Sequence, residues 1–323
     1  MPLLTVGLVL AAAPVHAQSP PPTQSLQSES EKFSRMAAER LQARIDAAAL
    51  ALGSYPKYKG ISPKYRLGLT EFVAGNMLFV LLHEIAHAAI SDMKLPVLGK
   101  QEDAADSYAV TRLISIGTVF THRVLVEAAK GWFLSDRRNR KEGETITYYD
   151  EHGLDKQRAY QIVCLMVGSD AQKFKDLADE TKLPADRQQT CALDYGDASY
   201  AWDLVLKPHL RTPDQPKTNI DVTYGESKGK LEIAGQAMRS MEFLETVAQP
   251  TSERLAWPAP FELELQTCGA PDAHWVPKTR KVTICYEMVV DFADLYRAYG
   301  AKPDTDRKRT STRARQEKSS ALR

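Results

Sequence analysis

The chain has 323 residues, 43% hydrophobic and 26% charged, with 42 Lys and Arg against 41 Asp and Glu. A net charge of +1 argues against nucleic acid or an acidic surface as the main partner, because it supplies no field to attract one. The apolar fraction suits a globular protein with a sizeable core rather than a disordered chain.

Residues 1–17 read as an export signal. Leu3 to Ala13 is a short apolar run, and Val15-His16-Ala17 is a small-residue cleavage site before Gln18, although no Lys or Arg precedes the run. Residues 18–30, rich in Pro, Ser and Gln, predict a disordered spacer. Residues 31–300 form the expected domain, opening with a helix over Glu31 to Leu52 and turn residues over Gly53 to Pro63. Thr70 is the expected cap of a helix from Glu71 through Ile90, ended by Leu95 to Gly99 with its Pro96. A second helix is expected from Gln101 to Ile116 or beyond, with others at 154–167, 170–180, 197–206 and 238–247. "FELELQTCG" alternates apolar and polar and "KVTICYEMV" is rich in β formers, so both predict strands, joined by a turn near Pro277-Lys278. A closing helix is expected at Asp291 to Tyr299. Residues 301–323, with eight Lys/Arg against three Asp/Glu, predict a basic disordered tail. The class expected is α+β, mainly helical with a small C-terminal β-hairpin or sheet.

Export permits disulfides. Cys164, Cys191, Cys268 and Cys285 allow three pairings. Cys164–Cys191 and Cys268–Cys285 are favoured because each closes a short loop. With no CxxC in the chain, a cysteine-only zinc site is not expected.

The stretch "NMLFVLLHEIAHAAI" sets two histidines and a glutamate in an apolar run, where unpaired polar groups cost several kcal/mol. A bound metal removes that cost. His83-Glu84-Ile85-Ala86-His87 is HExxH, and on a helix positions i and i+4 share a face. His83 and His87 can then reach one Zn²⁺, with Glu84 beside them as general base. A third ligand is expected in "LGKQEDAADSYAV", where Glu102 and Asp106 lie four apart on the next helix. Glu102 supplies a carboxylate oxygen; Asp106, one turn on, accepts the other ring N–H of a zinc histidine. Asp103 is a weaker rival, expected at a cap or in solvent. The run from Phe72 to Ile90 is long enough for a membrane span, but Asn76, His83, Glu84 and His87 interrupt it, and no stable span is expected once the signal is removed.

HExxH followed by a helical ExxxD resembles the gluzincin, or thermolysin-like, metallopeptidases. The sequence more closely resembles a bacterial family of exported zinc metallopeptidases with no assigned physiological role. The resemblance rests on "FVLLHEIAHA", "LPVLGKQEDAAD", "DEHGLDKQRAYQIVCLMVGSD", "CALDYGDASYAWDLVLKPH" and "CGAPDAHWVPKTRKVTICYE", spread over residues 72 to 287. It implies a zincin-like core around the HExxH helix and a zinc-dependent hydrolase with a peptide or protein substrate. It also implies an oxyanion-stabilising histidine ahead of a helix. His152, followed by Gly153 and a helix holding Arg158 and Tyr160, is similar, with Asp150 or Asp155 to orient it. His122, Tyr148 and Tyr149 are the rival donors; His209 and His274 have no comparable context. "DAHWVP", beginning at Asp272, resembles the edge strand along which such enzymes bind an extended peptide, and fits a disulfide-stapled hairpin equally well.

The reading is a periplasmic or secreted zinc metallopeptidase holding one Zn²⁺ per chain. The alternatives are a catalytically inactive, metal-stabilised binding module of the same fold in the cell envelope, and an intramembrane protease. An intact Glu84 counts against the first and the charged flanks of the run against the second.

Overall fold

The computed structural model describes residues 22–302 of the chain. The expected signal at 1–17, residues 18–21 of the spacer and nearly all of the tail lie outside them. Among the described residues the elements run α1 (Pro22–Ala51), α2 (Pro63–Asp92), α3 (Gln101–Ile116), α4 (Val119–Glu142), α5 (Asp155–Ser169), α6 (Lys175–Thr181) and α7 (Ala185–Leu206). They continue with β1 (Ile220–Tyr224), α8 (Glu232–Ser240), α9 (Glu245–Arg254), β2 (Phe261–Gln266), β3 (Ala273–Val276), β4 (Lys281–Cys285) and α10 (Tyr286–Tyr299). The fold is mainly helical α+β, as expected.

The expected spacer is partly helix: residues 22–30 are the first turns of α1. No Pro or Gly follows Pro22 there, and the Glu31–Arg112 ion pair, 2.7 Å, ties this end of α1 to α3.

α2 is the centre of the molecule. It starts at Pro63, not Glu71, because Ser62 caps it by accepting from Tyr65 N–H at 3.2 Å and proline suits the first helical turn. Thr70 therefore lies inside the helix, its hydroxyl donating back to Arg66 O at 2.8 Å. The helix is buried nearly all round, packed by α1, α3, α4, α10 and β3. It is long and apolar enough to cross a bilayer, yet 94% of its most apolar window is buried inside the fold, as in the core helix of a globular domain. Asn76 fits this setting because its amide donates to Phe72 O at 2.8 Å and to Glu127 O at 3.0 Å. That approach needs Gly131, where a Cβ would fall 1.9 Å from Asn76 Oδ1.

The sheet has the order β1-β2-β4-β3. β2 buries Phe261, Leu263 and Leu265 on alternate positions, as its sequence pattern predicts. The expected hairpin between β2 and β4 is not formed: these strands run parallel, Leu263 opposite Val282. The hairpin is instead β3–β4, turning through Pro277 to Arg280 with Trp275 opposite Val282. A parallel pair needs a long crossover, and residues 267–280 supply it. β3 is an edge strand and packs against α2.

Both expected disulfides are present, Cys164–Cys191 between α5 and α7 and Cys268–Cys285 between the loop after β2 and the end of β4. α5 and α7 touch closely: a Cβ on Gly168 would fall 2.1 Å from Cys191 O.

Candidate metal centre

α2 and α3 run antiparallel. Met93 to Lys100 reverses the chain, with Leu95 N–H donating to Ile90 O at 3.0 Å and Lys94 in the left-handed region at φ 53°. The pairings across the two helices follow from this, His83 facing Asp106 and His87 facing Gln101 and Glu102.

Nε2 of His83 lies 3.0 Å from Nε2 of His87. Glu102 closes the triangle, Oε2 3.0 Å from His83 Nε2 and Oε1 3.2 Å from His87 Nε2. The opposite ring edges are held. His83 Nδ1 donates to Asp106 Oδ1 at 2.7 Å, and His87 Nδ1 faces the Gln101 side-chain oxygen at 2.8 Å. With both Nδ1 atoms acting as donors, each neutral ring turns its Nε2 lone pair to the same point. Two lone pairs at 3.0 Å repel unless a proton or cation lies between them. Three donors bound at about 2.0–2.1 Å in a tetrahedron stand about 3.3 Å apart, close to the edges of this triangle. His83, Glu84 and His87 form a group able to hold a metal ion, as do His83, Glu102 and His152.

The electrostatics follow from the packing. Burial pulls the His83 pKa down, but the Asp106 and Glu102 hydrogen bonds outweigh it and raise it to about 9. His87 is likewise lowered by burial and raised, on balance, by Glu102. Burial would lift the Glu102 carboxyl, but His152, His83 and His87 hold it well below the ordinary carboxylate range. Glu84, 5% exposed, is pushed up by burial against the pull of His83 and His87.

Asp106 is the pivot behind the triangle. Arg158 of α5 grips it twice, Nε to Oδ2 and Nη2 to Oδ1, each 2.7 Å, and its guanidinium stacks 3.8 Å from the Trp132 ring of α4. Burial would raise the Asp106 pKa, but Arg158 and His83 lower it, so it stays ionised beside His83. The sequence puts Arg158 on the helix after His152 but carries no sign of this partner, nor of the parts of Gln101 and Trp132. Gln101, one residue before Glu102, was within reach of the helical spacing; the Trp132 contact is tertiary.

His152 lies in the loop between α4 and α5. Its Nε2 is 3.0 Å from Glu102 Oε2 and its Nδ1 3.3 Å from Asp150 Oδ1, and its backbone N–H donates to the same Asp150 oxygen at 2.9 Å. The Glu102 hydrogen bond raises its pKa. Asp150, not Asp155, orients it, since Asp155 accepts from Asn139 at 3.0 Å. Asp103 is exposed. Among the rival donors, His122 pairs with Lys173 at 2.7 Å against the Phe174 ring, while Tyr148 and Tyr149 are 80% and 94% exposed. Tyr160 donates to Thr181 O at 3.1 Å. His274 on β3 bonds Asp272 at 2.9 Å and acts electrostatically on Glu84, a context its sequence did not reveal.

Replacing Asp106 by Asn is expected to weaken metal binding or turnover about 10–100-fold, the scale for a partner that orients a liganding histidine. Competition against a chelator of known affinity measures it. An unchanged affinity and rate would leave Asp106 as no more than a contact of α3 with α5.

Without metal, His83 is charged at pH 7, because its pKa is about 9. Metal uptake must then expel a proton, so affinity should rise about tenfold per pH unit from 7 to 9 and level off above. The stability of the metal-free protein should move the other way. A pKa raised from 6.5 contributes fully below pH 6.5 and loses its contribution as pH climbs through about 9. Calorimetry in buffers of different ionisation enthalpy reads the proton release directly. A pH-independent affinity would contradict the charged state of His83.

A family model described as "Putative metallopeptidase" matches residues 62–206 and 225–319, most of the chain, including α2, α3, the His152 loop and the β2–β4 sheet. The same comparisons find no match among curated proteins or solved structures. The match covers most of the chain, including the HExxH helix and the facing carboxylates, and the chain belongs to the family so described.

Proposed function

We propose that the protein is a zinc-dependent peptidase that binds one Zn²⁺ through His83, His87 and Glu102. The observation that carries the reading is the meeting of His83 Nε2, His87 Nε2 and the two oxygens of the Glu102 carboxylate at 3.0–3.2 Å, with Glu84 buried beside them. When bound there, Zn²⁺ lowers the pKa of a water towards 7 and polarises the scissile carbonyl. Glu84 accepts the proton from the attacking water and passes it to the leaving amine. Burial has raised its pKa, which brings a carboxylate closer to the working pH of a general base. Asp106 and Arg158 keep His83 in one tautomer and one orientation. His152, positioned by Asp150, turns its Nε2 from Glu102, which it bonds at 3.0 Å, to the oxyanion of the tetrahedral intermediate. The edge strand β3, packed against α2, supports main-chain pairing with an extended peptide substrate.

The two disulfides and the apolar run at residues 3–13 support export to the periplasm or beyond. Cleavage of a mixed peptide library by the zinc-loaded protein tests the function. Cleavage should stop with a chelator and return with Zn²⁺; a metal-loaded chain that cuts nothing would leave the inactive binding module.

Replacing His152 by Ala should lower kcat about 10²–10³-fold, the cost of one oxyanion donor, with KM less affected and metal content unchanged. Metal analysis beside steady-state kinetics checks both. Loss of metal would make His152 a ligand in place of Glu102, and a normal kcat would remove it from the reaction.

A further inference from the structure

One side chain ties the sheet to the metal helix. Arg280 closes the turn between β3 and β4, and its guanidinium donates to two other parts of the chain. Nη1 and Nη2 bond the two oxygens of Asp92 at 2.9 and 2.6 Å, while Nη2 and Nε bond Ala259 O and Pro260 O, each at 2.8 Å. Asp92 is the last residue of α2, its side chain 6% exposed, and Ala259 and Pro260 lead into β2.

Neither residue suits its place by itself. Arg280 lies in the left-handed region at φ 53°, which is costly for a residue with a side chain. A carboxylate in the last turn of a helix faces the negative end of its dipole. The bidentate pair compensates Asp92, and the same bonds hold Arg280 in the turn. Such unfavourable local choices persist where the surroundings fix a position that function uses.

The position fixed here is that of β3. Asp92 is eight residues past Glu84, about 12 Å along α2 at the usual rise. β3 packs against α2, and His274 on it acts electrostatically on Glu84. Among the described residues, Arg280 is the one member of the β3–β4 hairpin that hydrogen-bonds α2. Apolar packing has no direction and does not by itself fix where a strand sits along a helix; the Arg280 fork does.

The main-chain groups that β3 offers follow from its pairing. Cys285 N–H donates to Asp272 O and Glu262 N–H to Arg280 O, each at 3.0 Å. Odd-numbered residues of β4 therefore bond β3 and even-numbered ones β2. With Trp275 opposite Val282, the N–H and C=O of Ala273 and Trp275 point away from β4. Ala273 N–H is taken by Asp272 Oδ1 at 2.9 Å. Ala273 C=O and both groups of Trp275 have no hydrogen bond among the described residues, and they form an open edge.

We infer that the Arg280–Asp92 pair is a positioning device for substrate. It sets the open edge of β3 at one place along α2, so that a peptide paired with Ala273 and Trp275 lies in register with the metal centre. Arg280 touches no reacting atom and acts through the strand. The inference rests on the reading of β3 as the strand that pairs with substrate.

Steady-state kinetics of the zinc-loaded full chain test it on two probes: the peptide cut best in a mixed library, and the shortest fragment of it that is still cut. Arg280→Met should raise KM for the long peptide about tenfold, the contribution of about one or two main-chain hydrogen bonds, with kcat and metal content unchanged. The fragment, too short to lie along β3, should keep its KM. Arg280→Lys keeps the charge without the fork, and Asp92→Asn keeps the size without the charge. Both should show the same split, and either decides the matter if the Met variant does not fold. Calorimetry with the long peptide, each variant carrying Glu84→Gln as well, should show the same loss of affinity without turnover. An unchanged KM for the long peptide, or equal losses on both probes, would reduce the pair to a tie that only stabilises the fold and would overturn the inference. A wild-type chain that cuts no peptide would overturn the proposed function itself; a wild type that cuts both probes beside variants that match it would overturn this inference alone.

Discussion

Replacing Glu84 by Gln should lower kcat for peptide hydrolysis by about 10²–10⁴-fold, the usual contribution of a positioned general base, while the protein keeps its metal. The amide has the size of the carboxylate and fits the same buried position, but it cannot take a proton from water. Glu84 is 5% exposed and is not among the three residues, His83, His87 and Glu102, whose donor atoms meet, so metal content should stay at that of the wild type. Single-turnover assays on a cleaved peptide, with metal analysis of the same sample, check both halves. Activity within a few-fold of the wild type would remove Glu84 from the chemistry. Loss of metal together with activity would make it a ligand.

His87→Ala should have the next largest effect. It deletes the nitrogen that lies 3.0 Å from His83 Nε2 and 3.2 Å from Glu102 Oε1, leaving two protein donors where a catalytic zinc site uses three. The loss in metal affinity should exceed about 100-fold, the upper end of what a merely orienting partner costs. The fold itself should survive in the metal-free variant, because His83 remains tied to Asp106 at 2.7 Å and Asp106 to Arg158. Metal content after dialysis, with circular dichroism of the same sample, measures the two effects. Full retention of metal would overturn the ligand assignment.

The part of the site that sequence revealed is the part built on helical period. His83 and His87 are one turn apart on α2, Glu102 and Asp106 one turn apart on α3, and a short Pro-containing loop between two helices makes them neighbours. Nothing beyond local geometry is needed to bring those four side chains together. The disulfides were legible for a similar reason, each joining cysteines close in the chain. What the sequence did not reveal is what only tertiary packing decides. Arg158 reaches Asp106 because α5 lies beside α3, and no spacing rule links residues 52 positions apart. His274 acts electrostatically on Glu84 because β3 packs against α2. The expected hairpin of β2 and β4 is a parallel pair instead, because a strand pattern carries burial alternation but not the direction of its partner.

Helix ends failed for local reasons. Thr70 resembled a cap but lies inside α2, since Ser62 followed by Pro63 is the stronger start. The expected helix at 238–247 straddles a break, with Glu242 in the left-handed region at φ 46° between α8 and α9. α4 has no counterpart among the expected helices, although Thr118 forms a capping box with Thr121 and Gly143 ends it in the left-handed conformation.

The claim on which the account rests is that one metal ion is held by His83, His87 and Glu102. Anomalous diffraction from crystals of the zinc-loaded protein, collected on either side of the zinc absorption edge, tests it most directly. A single strong peak per chain is expected, within about 2.0–2.2 Å of His83 Nε2, His87 Nε2 and a Glu102 carboxylate oxygen. A peak elsewhere, or one bound by His152 with Glu102 turned away, would contradict it.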